Sequence, residues 1–257
     1  MMEPLDPAAL RAIAPHVRGV AFDLDDTFIT HGTLTSTAFA CLERLRALGL
    51  RLALVTGRPL GWTDAFAAIW PIEVAVGENG AGWAKRRDGH LEVGYYADDA
   101  TRETQRAALD RLRAEVRSRL PSLSEAGDQP GRRCDVAWEI AGIDATMLDA
   151  LVSLIERAGM AVSVSSVHAH AAPGDWDKPG GLIRALNETT EDVKARWLFV
   201  GDSGNDAAAF AFFDHTVGVA NVRAHLGRLP VPPRWITNEP MGAGFVELVD
   251  GLERARG

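Results

Sequence analysis

Cysteine is nearly absent from the chain: Cys41 and Cys134 are the two in 257 residues. They form no repeated CxxC pair and no disulfide framework, so both are expected as free thiols. No uninterrupted apolar run approaches the ~20 residues that cross a bilayer, which argues against a membrane protein. Cationic charge is also short, with 27 Lys and Arg against 35 Asp and Glu and a formal net charge of -8. No basic stripe interleaved with aromatics offsets this, so nucleic acid is an unfavoured partner. The opening residues are acidic early and lack the basic start and apolar core of a secretory signal. They read as mature sequence, with a cytoplasmic location expected. Hydrophobic residues make up 47% and charged residues 24%, ordinary for a globular chain of one large domain or a medium domain carrying a second.

The first third alternates strand-like and helix-like stretches: Val17–Phe22, Ser36–Leu48, Arg51–Val55, Trp62–Ile69 and Glu73–Val76. Ala38, Phe39, Leu42, Leu45 and Leu48 recur at helical spacing, with Gly49 as a stop. Nearly continuous apolar strands joined through helices favour a parallel sheet covered on both faces. The last third resumes this rhythm with Gly180–Leu186, Trp197–Val200, Asp206–Phe213, Thr216–Val219, Trp235–Thr237 and Phe245–Arg254. The expected fold class is α/β, a doubly wound, mainly parallel Rossmann-like core. Between the two thirds the rhythm breaks. His90–Tyr96, Asp135–Ile140 and Ala161–Val167 read as strands, the last two with period-two alternation, and Arg102–Leu120 and Thr146–Ala158 as helices. An α+β cap is therefore expected over 84–172, inserted into a core of 1–83 and 173–257. The turn-rich Pro121–Arg133 is expected as a loop within it.

Four fragments carry the chemistry. The first strand ends in Asp23-Leu24-Asp25-Asp26-Thr27, and carboxylates crowded at a buried strand end cost folding energy unless a cation or a shared proton relieves them. Val55-Thr56-Gly57-Arg58 and Gly201-Asp202-Ser203-Gly204-Asn205-Asp206 also follow strands, and Asp177-Lys178-Pro179 opens a helix. In open α/β sheets ligands gather beyond the carboxyl ends of the strands. Alone, each fragment has a plainer use as a turn, a helix cap or a solvated charge. In this order, they point to a metal site and phosphoryl transfer.

Those fragments, FDLDDT, VTGR, DKPGG and GDSGND, resemble the four motifs of the haloacid dehalogenase superfamily of phosphatases. The long α+β insertion, with Glu78-Asn79-Gly80-Ala81 before it, resembles the cap of the Cof-type, subfamily IIB members. Asp26 stands where many members have Gly, and Ala209 where Met is frequent. The resemblance implies that Asp23 is the nucleophile and forms an aspartyl-phosphate. Asp25 would be the general acid and base, a role that asks for negative neighbours such as Asp26. Mg2+ would be held by Asp23, the main-chain carbonyl of Asp25 and Asp202. Thr56, Gly57, Lys178 and Asn205 would bind phosphate, and Asp206 would orient Lys178 or a metal-bound water.

The expected function is a magnesium-dependent phosphatase acting on a small phosphorylated metabolite, a sugar phosphate first. The alternatives are a phosphomutase, or a noncatalytic sugar-phosphate-binding regulator that could dispense with Asp23 and Asp25. His168 and His170 are open between substrate contact and a zinc site lacking a third ligand. Arg58 is open between a substrate anion and the surface. Substrate identity and oligomeric state are not legible.

Overall fold

The computed structural model describes residues 2–165 and 167–257. In chain order the elements are β1 (Glu3–Pro4), α1 (Pro7–Ile13), β2 (Gly19–Phe22), α2 (Ser36–Ala47), β3 (Arg51–Val55), α3 (Leu60–Ile69), β4 (Val74–Gly77), β5 (Gly82–Arg87) and β6 (His90–Tyr95). Then come α4 (Asp99–Arg119), β7 (Val136–Glu139), α5 (Ala145–Arg157), β8 (Ala161–Val164) and β9 (His168–Ala172). The chain closes with α6 (Lys178–Leu186), α7 (Thr190–Arg196), β10 (Trp197–Gly201), α8 (Ala207–Phe212), β11 (His215–Gly218), β12 (Trp235–Ile236) and α9 (Met241–Arg256).

Nine strands form one sheet in the order β1-β12-β11-β10-β2-β3-β4-β5-β6. It is parallel from β1 to β4, because helical crossovers return each strand in the same direction. Every residue of β2 is buried, as is expected of a central strand covered on both faces. One face carries Phe22, Leu42, Leu45, Leu54, Phe245 and Leu248, and the other Val55, Leu182, Trp197, Phe199 and Phe210. Of the expected stripe on helix α2, Ala38, Leu42 and Leu45 are buried and Phe39 and Leu48 partly so, Cys41 joins them, and the helix starts where the Thr35 hydroxyl accepts the Ala38 amide. Register does the positioning. Phe22 lies opposite Val200 on one side and Leu54 on the other, so the chain leaves β2, β3 and β10 at adjacent points on one edge.

The structure departs from expectation at the start of the insertion. The strand expected at His90–Tyr96 within the cap is β6, and together with β5, where no strand is expected, it extends the large sheet antiparallel beyond β4. No helical crossover separates β4 from β5. Glu78 (φ 48°), Asn79 (φ 55°) and Gly80 (φ 115°) reverse the chain instead, and a short reversal can only deliver an antiparallel partner.

The separate sheet of the insertion is three-stranded and antiparallel, order β7-β9-β8. Trp138, Leu151, Leu154, Ile155, Leu109 and Leu112 form its own core with α4 and α5. Ser166, within the expected strand Ala161–Val167, lies outside the described residues. Among the described residues no helix is long and apolar enough to cross a membrane.

Candidate active site

The three adjacent strand ends bring Asp23, Thr56 and Asp202 together, all buried. Phe28, packed against Phe22 and Phe245 with ring centroids 5.0 Å from each, anchors the turn that follows Asp23. Lys178 joins them from the first turn of α6, which is capped by the Asp177 carboxylate accepting the Gly180 amide at 2.7 Å. The Lys178 ammonium, 1% exposed, donates to Asp23 Oδ1 at 2.7 Å and to Asp206 Oδ1 at 2.6 Å. Asp206 Oδ2 accepts the amides of Asp202 and Ser203 at 2.8 and 3.1 Å. Both oxygens of Asp206 are thus engaged, one on the lysine and one on the loop that carries Asp202.

Asp23, Asp202 and Asp206 each offer an oxygen within 4.8 Å of the others. Burial pushes Asp23 up from 3.8 to about 7; Lys178 pulls it down, and Asp206 and Asp25 add to the rise. Burial, with Asp206 and Asp23 beside it, also holds Asp202 well above the ordinary carboxyl value. Burial works against the Lys178 charge, but Asp206 and Asp23 more than offset it and raise its pKa above that of a free lysine. Three buried carboxylates against one ammonium leave an all-oxygen donor set short of positive charge, which suits a hard divalent cation.

Asp202 is held further by groups absent from the sequence expectation. Thr27 Oγ1 donates to Asp202 Oδ1 at 3.3 Å, and Asn221 Nδ2 donates to Asp202 Oδ2 at 2.8 Å and to the Asp26 carbonyl at 3.0 Å. Asn221 follows β11 by three residues, so the strand-end rule that found the other fragments could have found it.

Thr56 and Asn205 stand around Gly57. The Thr56 hydroxyl accepts the Arg58 amide at 3.1 Å, and Asn205 Nδ2 donates to Asn79 Oδ1 at 3.2 Å. A Cβ at Gly57 would lie 3.2 Å from Asn79 Oδ1 and 3.5 Å from Asn205 Nδ2, so the glycine keeps this hollow open.

Asp25 differs from expectation. Its carboxylate lies outside the three-carboxylate cluster, near enough to Asp23 to raise it, and also meets a cation: Arg58 Nε donates to Oδ2 at 2.8 Å and Nη2 to Oδ1 at 2.7 Å. Arg58 Nη1 reaches on to Asp128 Oδ2 of the inserted segment at 3.1 Å. The guanidinium is therefore a bridge across the seam, not a surface charge. Arg132 completes that seam by donating to the Gly57 carbonyl at 2.9 Å and to Asp128 and Asp135 at 3.0 Å each.

Glu78 fastens the same seam from the core. Wholly buried, its carboxylate accepts the amides of Leu60, Arg133, Cys134 and Asp135 at 3.0, 2.8, 2.6 and 3.1 Å. Burial, with Asp135 nearby, pushes it up from 4.5 to about 7 against the pull of these amides.

The fold as a whole has counterparts among solved structures. The C-terminal domain of the Candida albicans trehalose-6-phosphate phosphatase superposes with a TM-score of 0.71 at 12% identity, covering 100% of this chain and 98% of that one. The chain has the fold of the haloacid dehalogenase phosphatases. Protein 0175 of Thermoplasma acidophilum gives a TM-score of 0.70 at 18% identity over 92% of this chain and 98% of that one. The sucrose-phosphatase of Synechocystis sp. PCC6803, solved with sucrose and phosphate, gives 0.65 at 17% identity over 92% and 99%. No protein-family model and no curated protein sequence matches the chain. The haloacid dehalogenase fold thus rests on structure, and its cap is the β7-β9-β8 sheet with α4 and α5.

Proposed function

We propose that the chain is a magnesium-dependent phosphatase that hydrolyses a small phosphorylated metabolite, a sugar phosphate first, through an aspartyl-phosphate on Asp23. One observation carries the reading: Asp23 lies at the end of a central strand with its Oδ1 on the Lys178 ammonium at 2.7 Å, beside Thr56 and Asp202. The lysine orients the carboxylate so that Oδ2 is free to attack phosphorus. Attack forms the Asp23 Oδ–P bond as the bond from phosphorus to the ester oxygen breaks, and water then cleaves the acyl phosphate. Asp25 gives the departing oxygen its proton and takes one from the attacking water. For this Arg58 releases it, so the bidentate pair is the resting arrangement of the closed seam.

The Thr56 hydroxyl, which accepts from the Arg58 amide, keeps its own proton for a phosphate oxygen. Asn205 and the main chain at Gly57 donate alongside it, and Lys178 neutralises charge as it transfers. Asp23, Asp202 and the Asp25 carbonyl would hold a magnesium ion, which would supply the charge that lets a carboxylate and a phosphate approach each other. Asp206 positions Lys178 and the Asp202 loop. Two similar folds belong to phosphatases named for trehalose 6-phosphate and for sucrose, which supports a sugar phosphate as the substrate class.

The test is phosphate release from a panel of phosphorylated metabolites, with magnesium and with a chelator. Release is expected with magnesium, equal in amount to the free alcohol, and lost in Asp23→Asn, whose amide cannot serve as the nucleophile. Wild-type-like activity in that variant overturns the mechanism. An isomerised ester with little free phosphate overturns hydrolysis in favour of phosphoryl transfer to an organic acceptor.

A further inference from the structure

Strand β9 of the cap lies over Asp23. His170, with Asp25, Ser203 and Asn205, lines a cavity of about 10 Å³ at the Asp23 carboxylate, room for about one water in the closed arrangement. A second cavity of about 360 Å³ runs between the cap sheet and the core, walled by Ser163, Val164, Trp176 and Ala208. That is the small end of the range for ligand pockets. His170 and Asn205 line both cavities and so stand where the two meet.

The His170 ring is held in place. Its Nδ1 lies 3.0 Å from Asp135 Oδ2 and 3.4 Å from Arg132 Nη1, and Asp135 is fixed in turn by Arg132 and by its own amide on Glu78. Burial opposes ionisation of Asp135, but Arg132 and His170 hold its carboxyl below the ordinary value. The ring of His168 lies 5.8 Å away, edge to face. Among the described residues Nε2 of His170 makes no hydrogen bond. A nitrogen oriented this firmly, with its partner supplied on the far side of the ring, is what a ligand contact requires. The Trp176 indole N–H is likewise buried without an acceptor among the described residues.

Charge narrows the occupant. The larger cavity is lined by Glu78, Asp135 and Asp177, and its one cation, Lys178, is already shared by Asp23 and Asp206. Among the described residues the lining presents no unshared cation to an anionic leaving group, whereas a neutral polyol finds the amides of Asn79 and Asn205, the Ser163 hydroxyl and the imidazole.

On the phosphatase reading above, we infer that His170, oriented by Asp135, is the cap residue that contacts the leaving group, hydrogen-bonding a hydroxyl next to the ester oxygen. The larger cavity takes a neutral polyhydroxylated group of about one hexose ring.

Wild type, His170→Ala, His170→Gln and Trp176→Phe are assayed for kcat/KM with glucose, mannose and fructose 6-phosphates and with glucose 1-phosphate. The reference ester is p-nitrophenyl phosphate, and 3-phosphoglycerate is the acidic comparison. At least one hexose phosphate is expected to exceed 3-phosphoglycerate by about 10-fold or more. His170→Ala should lower that hexose phosphate about 10- to 100-fold further than it lowers p-nitrophenyl phosphate, the scale of a lost ligand hydrogen bond. His170→Gln should recover part of the difference, and Trp176→Phe, which keeps the ring shape, should show a smaller one. Equal losses on both ester classes, or a wild-type preference for 3-phosphoglycerate, overturn the inference. Absence of magnesium-dependent release from every ester, or its survival in Asp23→Asn, strikes at the phosphatase reading instead.

Discussion

Replacing Lys178 with Met keeps an unbranched side chain of similar length and removes the charge. Asp23, Asp202 and Asp206 then share their 4.8 Å cluster with no cation between them. Breaking a buried ion pair from one side costs about 3–5 kcal/mol, a large part of the ~5–15 kcal/mol that holds a typical protein folded. The folded variant can recover some of this by taking up a proton. Asp23 already sits at about 7 in the wild type through burial, and without Lys178 it and Asp202 hold protons to still higher pH. A carboxyl raised on folding binds more protons in the native than in the unfolded chain, so its stability contribution falls as pH rises. The deficit of Lys178→Met is therefore expected to be largest at about pH 8 and to narrow toward about pH 5.5. Urea unfolding followed by tryptophan fluorescence, with a chelator present, measures it at both. A loss below about 1 kcal/mol at the higher pH, or a deficit that does not narrow, refutes the charge argument. Phosphate release in the same variant should fall by about 100-fold or more.

Magnesium should raise the unfolding midpoint more at about pH 8 than at about pH 5.5, because Asp23 and Asp202 must shed protons to bind it; calorimetric scans with and without the ion check this. Gly80→Ala places a Cβ 2.0 Å from the Asp177 carbonyl at φ 115°. It should cost about 1–3 kcal/mol and reduce turnover by displacing the residue before Lys178, read by urea unfolding and phosphate release. Glu78→Gln leaves two of four buried amides facing an NH2 group, at about 1–3 kcal/mol each. The wild-type contribution of Glu78 is full below 4.5 and is lost as pH rises through about 7, so this deficit should be greatest in acid; equal stability of the two proteins at about pH 5 contradicts it.

The parallel core was legible because its signals are local. Apolar strands of four or five residues, the stripe of α2 and the polar strand ends each lie within a dozen positions. The same rule of strand ends marked Asp23, Thr56 and Asp202, and the structure brings them together at one edge. The partnership of β5 and β6 was not legible, since an antiparallel strand alternates alike whether it joins the core or the cap. The seam was hidden for a different reason. Arg58 meets Asp25 and Asp128, which lie 33 and 70 residues away, and a single Arg after a glycine carries no local trace of either. Asp135, one residue before β7, reaches His170 on the neighbouring β9, 35 residues away, and alternation could suggest the two strands but not their register.

Three of the four amides on Glu78 come from the cap, at Arg133, Cys134 and Asp135. A core severed from its cap would keep the Leu60 amide alone and leave a buried carboxylate facing an empty interface. The two parts are therefore not interchangeable modules. A foreign cap grafted onto this core has to present three successive main-chain amides at the same point, or arrive with an uncharged residue at position 78. Descent with cap exchange would leave that pairing as its signature.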